Sequence, residues 1–158
     1  NLFRELGTAA SPEQAAAMYE TFLGEGHYYI DGAEDLLKAL YGRYRLYLAS
    51  NGTMSVQQSR LASAGIAGLF DGIFLSEVIG ADKPSKAFFA ACFSQIPDFR
   101  KEETVIVGDS LTSDIQGGKN AGIGTVWYQP YPETQAEKIR PDAVIRKLSD
   151  LPELLRTL

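Results

Sequence analysis

Two aspartates stand five positions apart, directly after a short run of mostly β-branched residues. The run 104–107 ends in Gly108-Asp109, and Asp114 is the second acid. Such a run is typical of a strand buried on both faces of a parallel sheet, and ligands of these sheets bind at the carboxyl ends of the strands. Two carboxylates there suit a hard cation such as Mg²⁺, which prefers oxygen ligands and keeps several waters. A turn and a helix N-cap without any metal would explain the same residues, since Asp and Ser also favour caps.

A polar turn follows a second predicted strand. Ser50 and Asn51 come after the short predicted strand 45–49. Asn-Gly dipeptides favour hairpins, but the segment 53–64 lacks strand alternation and ends at Gly65, as a helix does. The sequence therefore predicts strand, turn and helix, with Ser50 and Asn51 at the carboxyl end of the strand.

A lysine follows a third predicted strand, 70–76. Lys83 precedes Pro84, which keeps the lysine on extended backbone just before a predicted helix. A single lysine is usually a solvated surface charge. The carboxyl ends of parallel strands, however, meet at one edge of a sheet. We therefore expect the three polar clusters to converge there: Ser50, Asn51, Lys83, Asp109 and Asp114.

The elements that must position these side chains alternate along the chain. Short apolar runs, of which the last two are 124–128 and 143–145, are separated by segments with helical periodicity. This order predicts an α/β fold, a Rossmann-like parallel sheet flanked by helices. Within the predicted helix 114–121, Gly117-Gly118 is a poor choice for helix propensity, which close packing against the sheet would explain.

Other helical segments carry start signals and apolar faces. Ser11, followed by Pro12 and Gln14, predicts a capped helix start, and Ser149 is the predicted cap of the closing helix. The lone Cys92 lies on an apolar helix face, which predicts a core thiol rather than a nucleophile.

The length, net charge and cysteine content of the chain limit the classes of function that it can have. The chain has 158 residues, enough for one domain with a sizeable core, and its net charge of −5 argues against a nucleic-acid partner. Any phosphate site must then be built locally. One cysteine cannot form an internal disulfide, no apolar run is long enough to span a membrane, and the N-terminus does not resemble a signal peptide. A cytoplasmic protein is the expectation.

Taken together, the polar clusters resemble the motifs of the haloacid dehalogenase-like (HAD) hydrolase superfamily, from roughly Asp31 to the C-terminus. A strand that ends in Ser or Thr matches 46–52, a lysine followed by proline matches 82–84, and Gly-Asp with a second Asp five residues after the first matches 108–114. Within the superfamily the chain is most similar to the nucleotidase and phosphoglycolate-phosphatase-like subgroup.

This resemblance implies a Mg²⁺-dependent phosphatase that acts on a small phosphate monoester, such as a nucleoside monophosphate, through a phospho-aspartyl intermediate. Asp109 would bind Mg²⁺ directly, and Asp114 would hold a metal-bound water or a neighbouring group. The Ser50 hydroxyl and the Asn51 backbone N–H would bind the phosphoryl oxygens. Lys83 would neutralise the phosphate and the nucleophile together. Positioned cations and N–H donors suit the charge that a transferring phosphoryl group carries.

The superfamily's first motif, Asp-x-Asp-x-Thr after an apolar strand, has no match in the chain. Asp31 stands at a predicted helix start instead, so no nucleophile is assigned. We expect residues 1–26 to be the C-terminal part of a helical cap and 27–158 to be a HAD-like core without its first strand. That strand would lie between those ending at Ser50 and Gly108, and its absence would leave two unpaired edges. The chain is therefore expected to be incomplete and inactive as written, with the strand supplied by the same longer chain or a partner polypeptide.

Two other functions stay open. One is a non-catalytic HAD-like binding or scaffold protein that has lost the nucleophile. The other is a 2-haloacid dehalogenase, which uses the same nucleophile on carbon without a metal, although the paired aspartates favour phosphate over halide. The aromatic residues Trp127, Tyr128 and Tyr131 either line the mouth of the site or pack in the core.

Overall fold

The computed structural model describes residues 11–131 and 138–157. The apolar helical stripe predicted at Leu2, Phe3 and Leu6, and the inward position predicted for Leu158, lie outside this part of the chain. Helices and strands alternate as predicted: α1 (Pro12–Gly24), α2 (Ala33–Leu40), β1 (Tyr47–Ser50), α3 (Met54–Ala64), β2 (Gly72–Leu75), α4 (Ser76–Ile79), α5 (Lys86–Phe93), β3 (Val105–Gly108), a π-helical turn (Leu111–Ile115), α6 (Gln116–Ala121), β4 (Gly124–Tyr128), β5 (Ala143–Ile145) and α7 (Leu151–Leu154).

The strands form two parallel sheets. β1 pairs with β2, with Tyr47 opposite Gly72. The other sheet has the order β3-β4-β5, with Val105 opposite Gly124 and Val126 opposite Ala143. Within the described residues no strand pairs with both β1 and β3, so each of the two keeps one unpaired edge. The predicted α/β fold with parallel strands flanked by helices is confirmed.

Two apolar clusters form the core, and each contacts residues from both sheets or from the segments next to them. The first cluster joins α2, β4 and the C-terminal elements: Leu40, Val126, Ile145, Leu148 and Leu151. The second joins β2 and α5: Phe74, Phe88, Phe89, Cys92 and Ile123. Cys92 is buried, which confirms the predicted core thiol.

The glycine pair of α6 is explained by close packing. A Cβ atom at Gly118 would lie 2.6 Å from Ile106 Cγ2 on β3 and 2.6 Å from Thr125 Cγ2 on β4. A Cβ atom at Gly117 would lie 2.4 Å from Phe89 Cε2. The predicted cause, close approach to the sheet, holds for Gly118, whereas Gly117 makes room for α5.

The helix ends agree with the sequence at α1 and differ at α7. The Ser11 hydroxyl accepts the Gln14 N–H at 3.2 Å, and the Gln14 side chain accepts the Ser11 N–H at 3.0 Å, which completes the predicted capping box. The predicted cap at Ser149 is wrong. Ser149 lies inside a 3₁₀ turn, Leu148–Asp150, that leads straight into α7, so backbone bonds replace a side-chain cap.

The helix α1 lies against α3 and leaves its apolar face exposed. Met18 and Phe22 are 57% and 62% exposed. The segment after α1 is tied to α3, because Ser59 Oγ donates to Gly24 O at 2.8 Å and Tyr29 Oη donates to Ala64 O at 2.8 Å. Among the described residues, no helix is long and apolar enough to cross a membrane.

Candidate functional site

The Lys83 ammonium joins the ends of two strands that belong to different sheets. Its Nζ atom donates to the backbone oxygen of Ala49 on β1 at 2.7 Å and to Asp114 Oδ1, beyond the end of β3, also at 2.7 Å. The side chains of Lys83 and Asp114 are each only 10% exposed. The structure therefore brings together two of the predicted site residues, and Ser50 is the neighbour of Ala49 in the chain.

This nearly buried ion pair is satisfied on the carboxylate side. While Asp114 Oδ1 accepts from the lysine, Oδ2 accepts the Ser110 backbone N–H at 3.2 Å. Taking a charge pair out of water costs several kcal/mol per ion unless partners and further hydrogen bonds compensate. The carboxylate has a donor for each oxygen, so the pair can exist at this depth.

Gly108 makes the close approach of Asp114 possible. A Cβ atom at Gly108 would lie 2.3 Å from Asp114 Oδ2 and 2.5 Å from Asp114 Cβ, closer than non-bonded atoms approach. The Asp114 side chain thus occupies the space that any other residue at 108 would fill. The glycine of the Gly-Asp motif therefore has a steric reason.

A π-helical turn presents Asp114 to the site. The predicted helix 114–121 begins instead as the turn Leu111–Ile115, and regular α-helix starts at Gln116. Ser110 holds the start of this turn, because its hydroxyl accepts the Ser113 N–H at 3.2 Å and its backbone oxygen accepts the Asp114 N–H at 2.9 Å. Single π-helical turns are rare in proteins, and many of those that occur lie at functional sites.

Ser50 is the last residue of β1, and Asn51 begins the turn that follows it beside the lysine. The Ser50 hydroxyl accepts the Gly52 N–H at 3.0 Å, which leaves its own O–H free to donate. The Asn51 side chain makes two bonds to the Lys83 backbone: Nδ2 donates to Lys83 O at 3.0 Å, and Oδ1 accepts the Lys83 N–H at 2.9 Å. Sequence reasoning assigned Asn51 only its backbone N–H and missed this side-chain role.

The start of α3 fixes the same turn from the other side. The Met54 N–H donates to Glu77 Oε2 at 2.6 Å, so a carboxylate of α4 caps the helix that follows the turn. Thr53, the N-cap residue, makes no side-chain capping bond. A carboxylate at a helix N-terminus is favourable because of the exposed N–H groups and the helix dipole.

Asp109 differs from Asp114 in exposure and in partners. Its residue is exposed, and within the described ranges its carboxylate has no hydrogen-bond or ion-pair partner. Its backbone oxygen accepts the Trp127 indole N–H at 2.9 Å. Of the three aromatic residues considered above, only Trp127 has a hydrogen bond to the site loop; Tyr128 packs against the first core cluster, and Tyr131 is 81% exposed.

These donors fit a Mg²⁺ ion as part of its ligand set. The described residues contain no group of three or more His, Cys, Asp or Glu side chains that could hold a metal alone. Mg²⁺, however, is commonly held by one or two carboxylates together with waters and substrate phosphate. Asp109 offers an unengaged carboxylate for this purpose, whereas Asp114 is already bonded to Lys83 and Ser110.

The family model for haloacid dehalogenase-like hydrolases matches residues 4–122. The chain belongs to this family. It is 42% identical to the HAD-hydrolase YfnB of Bacillus subtilis (strain 168) over 154 residues, which are 98% of this chain and 66% of YfnB. It is 38% identical to the pyrimidine 5′-nucleotidase PynA of Streptococcus pneumoniae (strain ATCC BAA-255 / R6) over 155 residues, which are 98% of this chain and 65% of PynA. This HAD chain thus spans about two thirds of the length of these relatives.

Solved structures agree with the family assignment. The crystal structure of Bacillus subtilis YfnB bound to magnesium matches this HAD chain with a TM-score of 0.92 over 98% of its length and 68% of that chain. The 2-haloacid dehalogenase from Pseudomonas syringae pv. tomato DC3000 is 27% identical and matches with a TM-score of 0.77 over 92% of this chain and 61% of that one. The superfamily inferred from the motifs is confirmed.

Proposed function

We propose that the whole protein is a Mg²⁺-dependent phosphatase that acts on a small phosphate monoester, with a nucleoside monophosphate as the first candidate. The observation that carries this proposal is the ammonium of Lys83, held 2.7 Å from both Ala49 O and Asp114 Oδ1 at the carboxyl end of β1. Two relatives that are 38% and 35% identical to the chain carry the name pyrimidine 5′-nucleotidase, which supports the substrate class.

The proposed chemistry uses the charges of the site. A phosphoryl group in transfer carries negative charge on its equatorial oxygens, so fixed cations and O–H or N–H donors lower the barrier. Lys83 supplies an ammonium that Asp114 orients, and Ser50 supplies a hydroxyl whose oxygen is fixed by Gly52 N–H. Asp109 would hold the Mg²⁺ ion, which when bound neutralises phosphate charge and orients the leaving group.

No residue of this chain is proposed as the nucleophile. We propose instead that an extended strand fits between β1 and β3, supplied by the same longer chain or a partner polypeptide, and that it brings the nucleophilic carboxylate. The two unpaired edges support this, and Val107 on β3 is 36% exposed although it belongs to an apolar run. In the same proposal residues 1–26 belong to a helical cap and 27–158 to the core.

Hydrogen exchange tests the strand proposal. In the 158-residue chain the amides of β1 and β3 that point away from β2 and β4 should exchange quickly, because they have no strand partner. In the whole protein the same amides should be protected. Equal and strong protection in both would show that the two edges need no further strand.

Phosphate release tests the activity. The whole protein should hydrolyse p-nitrophenyl phosphate and a panel of nucleoside monophosphates with Mg²⁺ and not with EDTA. Asp109→Asn should lower kcat/KM by about 100-fold, the scale for losing one preorganised electrostatic contact. Asp35→Asn, at an exposed position on α2, is the matched control and should keep the wild-type rate. Equal rates for the two variants would remove Asp109 from the chemistry.

A small phosphorylated metabolite is the proposed partner, rather than nucleic acid or a membrane, and the cytoplasmic location stays a prediction. The second candidate reaction is dehalogenation, which the similarity to the Pseudomonas syringae enzyme favours. Halide release from 2-chloropropionate in EDTA would support it. A whole protein that releases neither phosphate nor halide would favour the non-catalytic binding or scaffold protein.

A further inference from the structure

Two asparagine side chains hold the backbone on either side of the Lys83–Pro84 peptide bond. Asn51, in the turn after β1, bonds both the N–H and the carbonyl of Lys83, at 2.9 and 3.0 Å. Asn120, on α6, donates from Nδ2 to Pro84 O at 3.1 Å. Gln116 Nε2 donates to Asn120 Oδ1 at 2.8 Å and so orients that amide. The loop that carries the lysine is thereby attached to elements from both sheets.

The Asn51 amide pairs with Lys83 much as a neighbouring strand would. A primary amide offers one carbonyl acceptor and an N–H donor on the same plane, which complements the acceptor and donor of one residue's backbone. Both polar atoms of the Asn51 side chain are used in this pair. The side chain therefore acts on the backbone of Lys83, and its amide is already engaged when substrate arrives.

This arrangement limits the freedom of a side chain that is otherwise flexible. Lysine carries a point charge on a four-carbon stem and about 2 kcal/mol of rotamer entropy. Lys83 is anchored at its backbone by Asn51 and at its ammonium by Ala49 O and Asp114 Oδ1. Loss of the backbone anchor leaves the ammonium bonds to hold the whole side chain.

We propose that Asn51 and Asn120 are positioning residues that fix Lys83 for its work at the site. Asn51 acts through its bonds to the backbone of Lys83. Asn120 holds Pro84 and so attaches the loop of Lys83 to α6, the helix that follows the π-helical turn of Asp114. The structural part of the proposal concerns the chain itself. Its catalytic consequence rests on the proposed phosphatase function.

Competitive labelling of lysines tests the structural part in the purified whole protein. Trace acylation with acetic anhydride, read by mass spectrometry, gives the ratio of Lys83 to Lys86, which is exposed one turn away and serves as internal reference. Asn51→Ala should raise this ratio about fivefold, the effect of losing roughly one net hydrogen bond. Asn51→Asp keeps an acceptor for the Lys83 N–H and should raise the ratio less. Gln95→Ala removes an exposed bond to Ala91 O on α5 and should leave it unchanged.

An unchanged ratio in Asn51→Ala would overturn the proposal, provided that the thermal unfolding midpoint shows the variant to be folded. The Asn51 bonds are exposed, so we expect that midpoint to stay close to wild type. Should Asn51→Ala unfold, Asn51→Asp and Asn120→Ala take its place, because each removes one bond to the loop of Lys83. Both should raise the labelling ratio, and an unchanged ratio in both folded variants would overturn the proposal.

A double-mutant cycle in the whole protein tests the catalytic part. Asn51→Ala should lower kcat for p-nitrophenyl phosphate by about 10- to 100-fold, the scale of a misplaced catalytic group. In a Lys83→Met background the same change should lower kcat less than about twofold, because coupled residues are not additive. Additive effects would show that Asn51 acts on substrate independently of Lys83 and would overturn the inference. A whole protein without phosphatase activity would refute the proposed function, while the labelling ratio would still decide whether Asn51 fixes the lysine.

Discussion

Adding one methyl group at Gly108 should disrupt the ion pair at the centre of the site. In Gly108→Ala the new Cβ atom would lie 2.3 to 2.5 Å from the Oδ2, Cγ and Cβ atoms of Asp114. The Asp114 side chain is 10% exposed and has little room to rotate, so its bonds to Lys83 and to the Ser110 N–H must break or lengthen. The Lys83 ammonium would then keep only Ala49 O as a partner.

The expected loss of stability follows from the burial of the Lys83–Asp114 ion pair. Breaking a buried ion pair on one side typically costs about 3–5 kcal/mol, because it leaves a charge without compensation. Overpacking alone costs about 1–3 kcal/mol. We therefore expect Gly108→Ala to lower the free energy of unfolding by about 3–5 kcal/mol. For a chain of this size each kcal/mol lowers Tm by about 2–4 °C, which gives a fall near 10 °C.

Urea unfolding and a thermal scan measure this change. Gly124→Ala, at the start of the neighbouring strand β4, is the matched control, because the nearest neighbours of its Cβ atom, Thr104 O and Val105 Cγ2, would lie at an ordinary contact distance of 3.4 Å. Alanine in a strand is intrinsically better than glycine by about 0.5–1 kcal/mol, so the control should be as stable as the wild type or slightly more stable. If Gly108→Ala were as stable as Gly124→Ala, the tight seating of Asp114 against residue 108 would be refuted.

Three further outcomes are expected. Trp127→Phe removes the indole N–H that donates to Asp109 O. It should weaken Mg²⁺ binding, measured by calorimetry, by about tenfold, which is the lower end of the effects of losing a group that supports a metal ligand. An unchanged Mg²⁺ affinity would show that Trp127 does not support Asp109. Burial raises the pKa of the Cys92 thiol to about 11, so Ellman's reagent should react only after unfolding, and rapid labelling of the folded chain would contradict this. Hydrogen bonds from Lys119 and Thr125 hold the pKa of Asp142 below its ordinary 3.8; the stability they add is present above that value and lost as pH falls through the folded pKa. At pH 6 the free energy of unfolding of the wild type should therefore exceed that of Asp142→Asn by less than about 1 kcal/mol, because the Lys119–Asp142 pair is partly exposed. The two free energies should converge in acid. A difference that grows as the pH falls would contradict the lowered pKa of Asp142.

The ends of the strands could be predicted from the sequence, because they depend on the residue types of short local segments. The run before Gly108 and the run 124–128 predict buried parallel strands. The observed β4, Gly124–Tyr128, has the bounds predicted for the second run. Once parallel strands are predicted, their carboxyl ends must share an edge. That geometric rule alone brings Lys83 and Asp114 together, which the structure shows at 2.7 Å.

Side-chain partners were harder to foresee because they depend on long-range packing. Nothing local distinguishes the Asn51 amide, which bonds a residue 32 positions later, from a turn residue in solvent. The π-helical turn before Gln116 also lacks a distinct sequence pattern and reads as ordinary helix. On α1 the apolar residue Phe22 is 62% exposed, since periodicity shows which residues share a helix face and not what covers that face.

A crystal structure of the whole protein with MgCl₂ and sodium tungstate, an oxyanion that mimics phosphate, is the most direct test of the site. We expect Mg²⁺ on the Asp109 carboxylate and the oxyanion within hydrogen-bond distance of Lys83 Nζ and Ser50 Oγ. Tungstate bound elsewhere, or Mg²⁺ bound away from Asp109, would contradict the claim that these strand ends form a phosphate site.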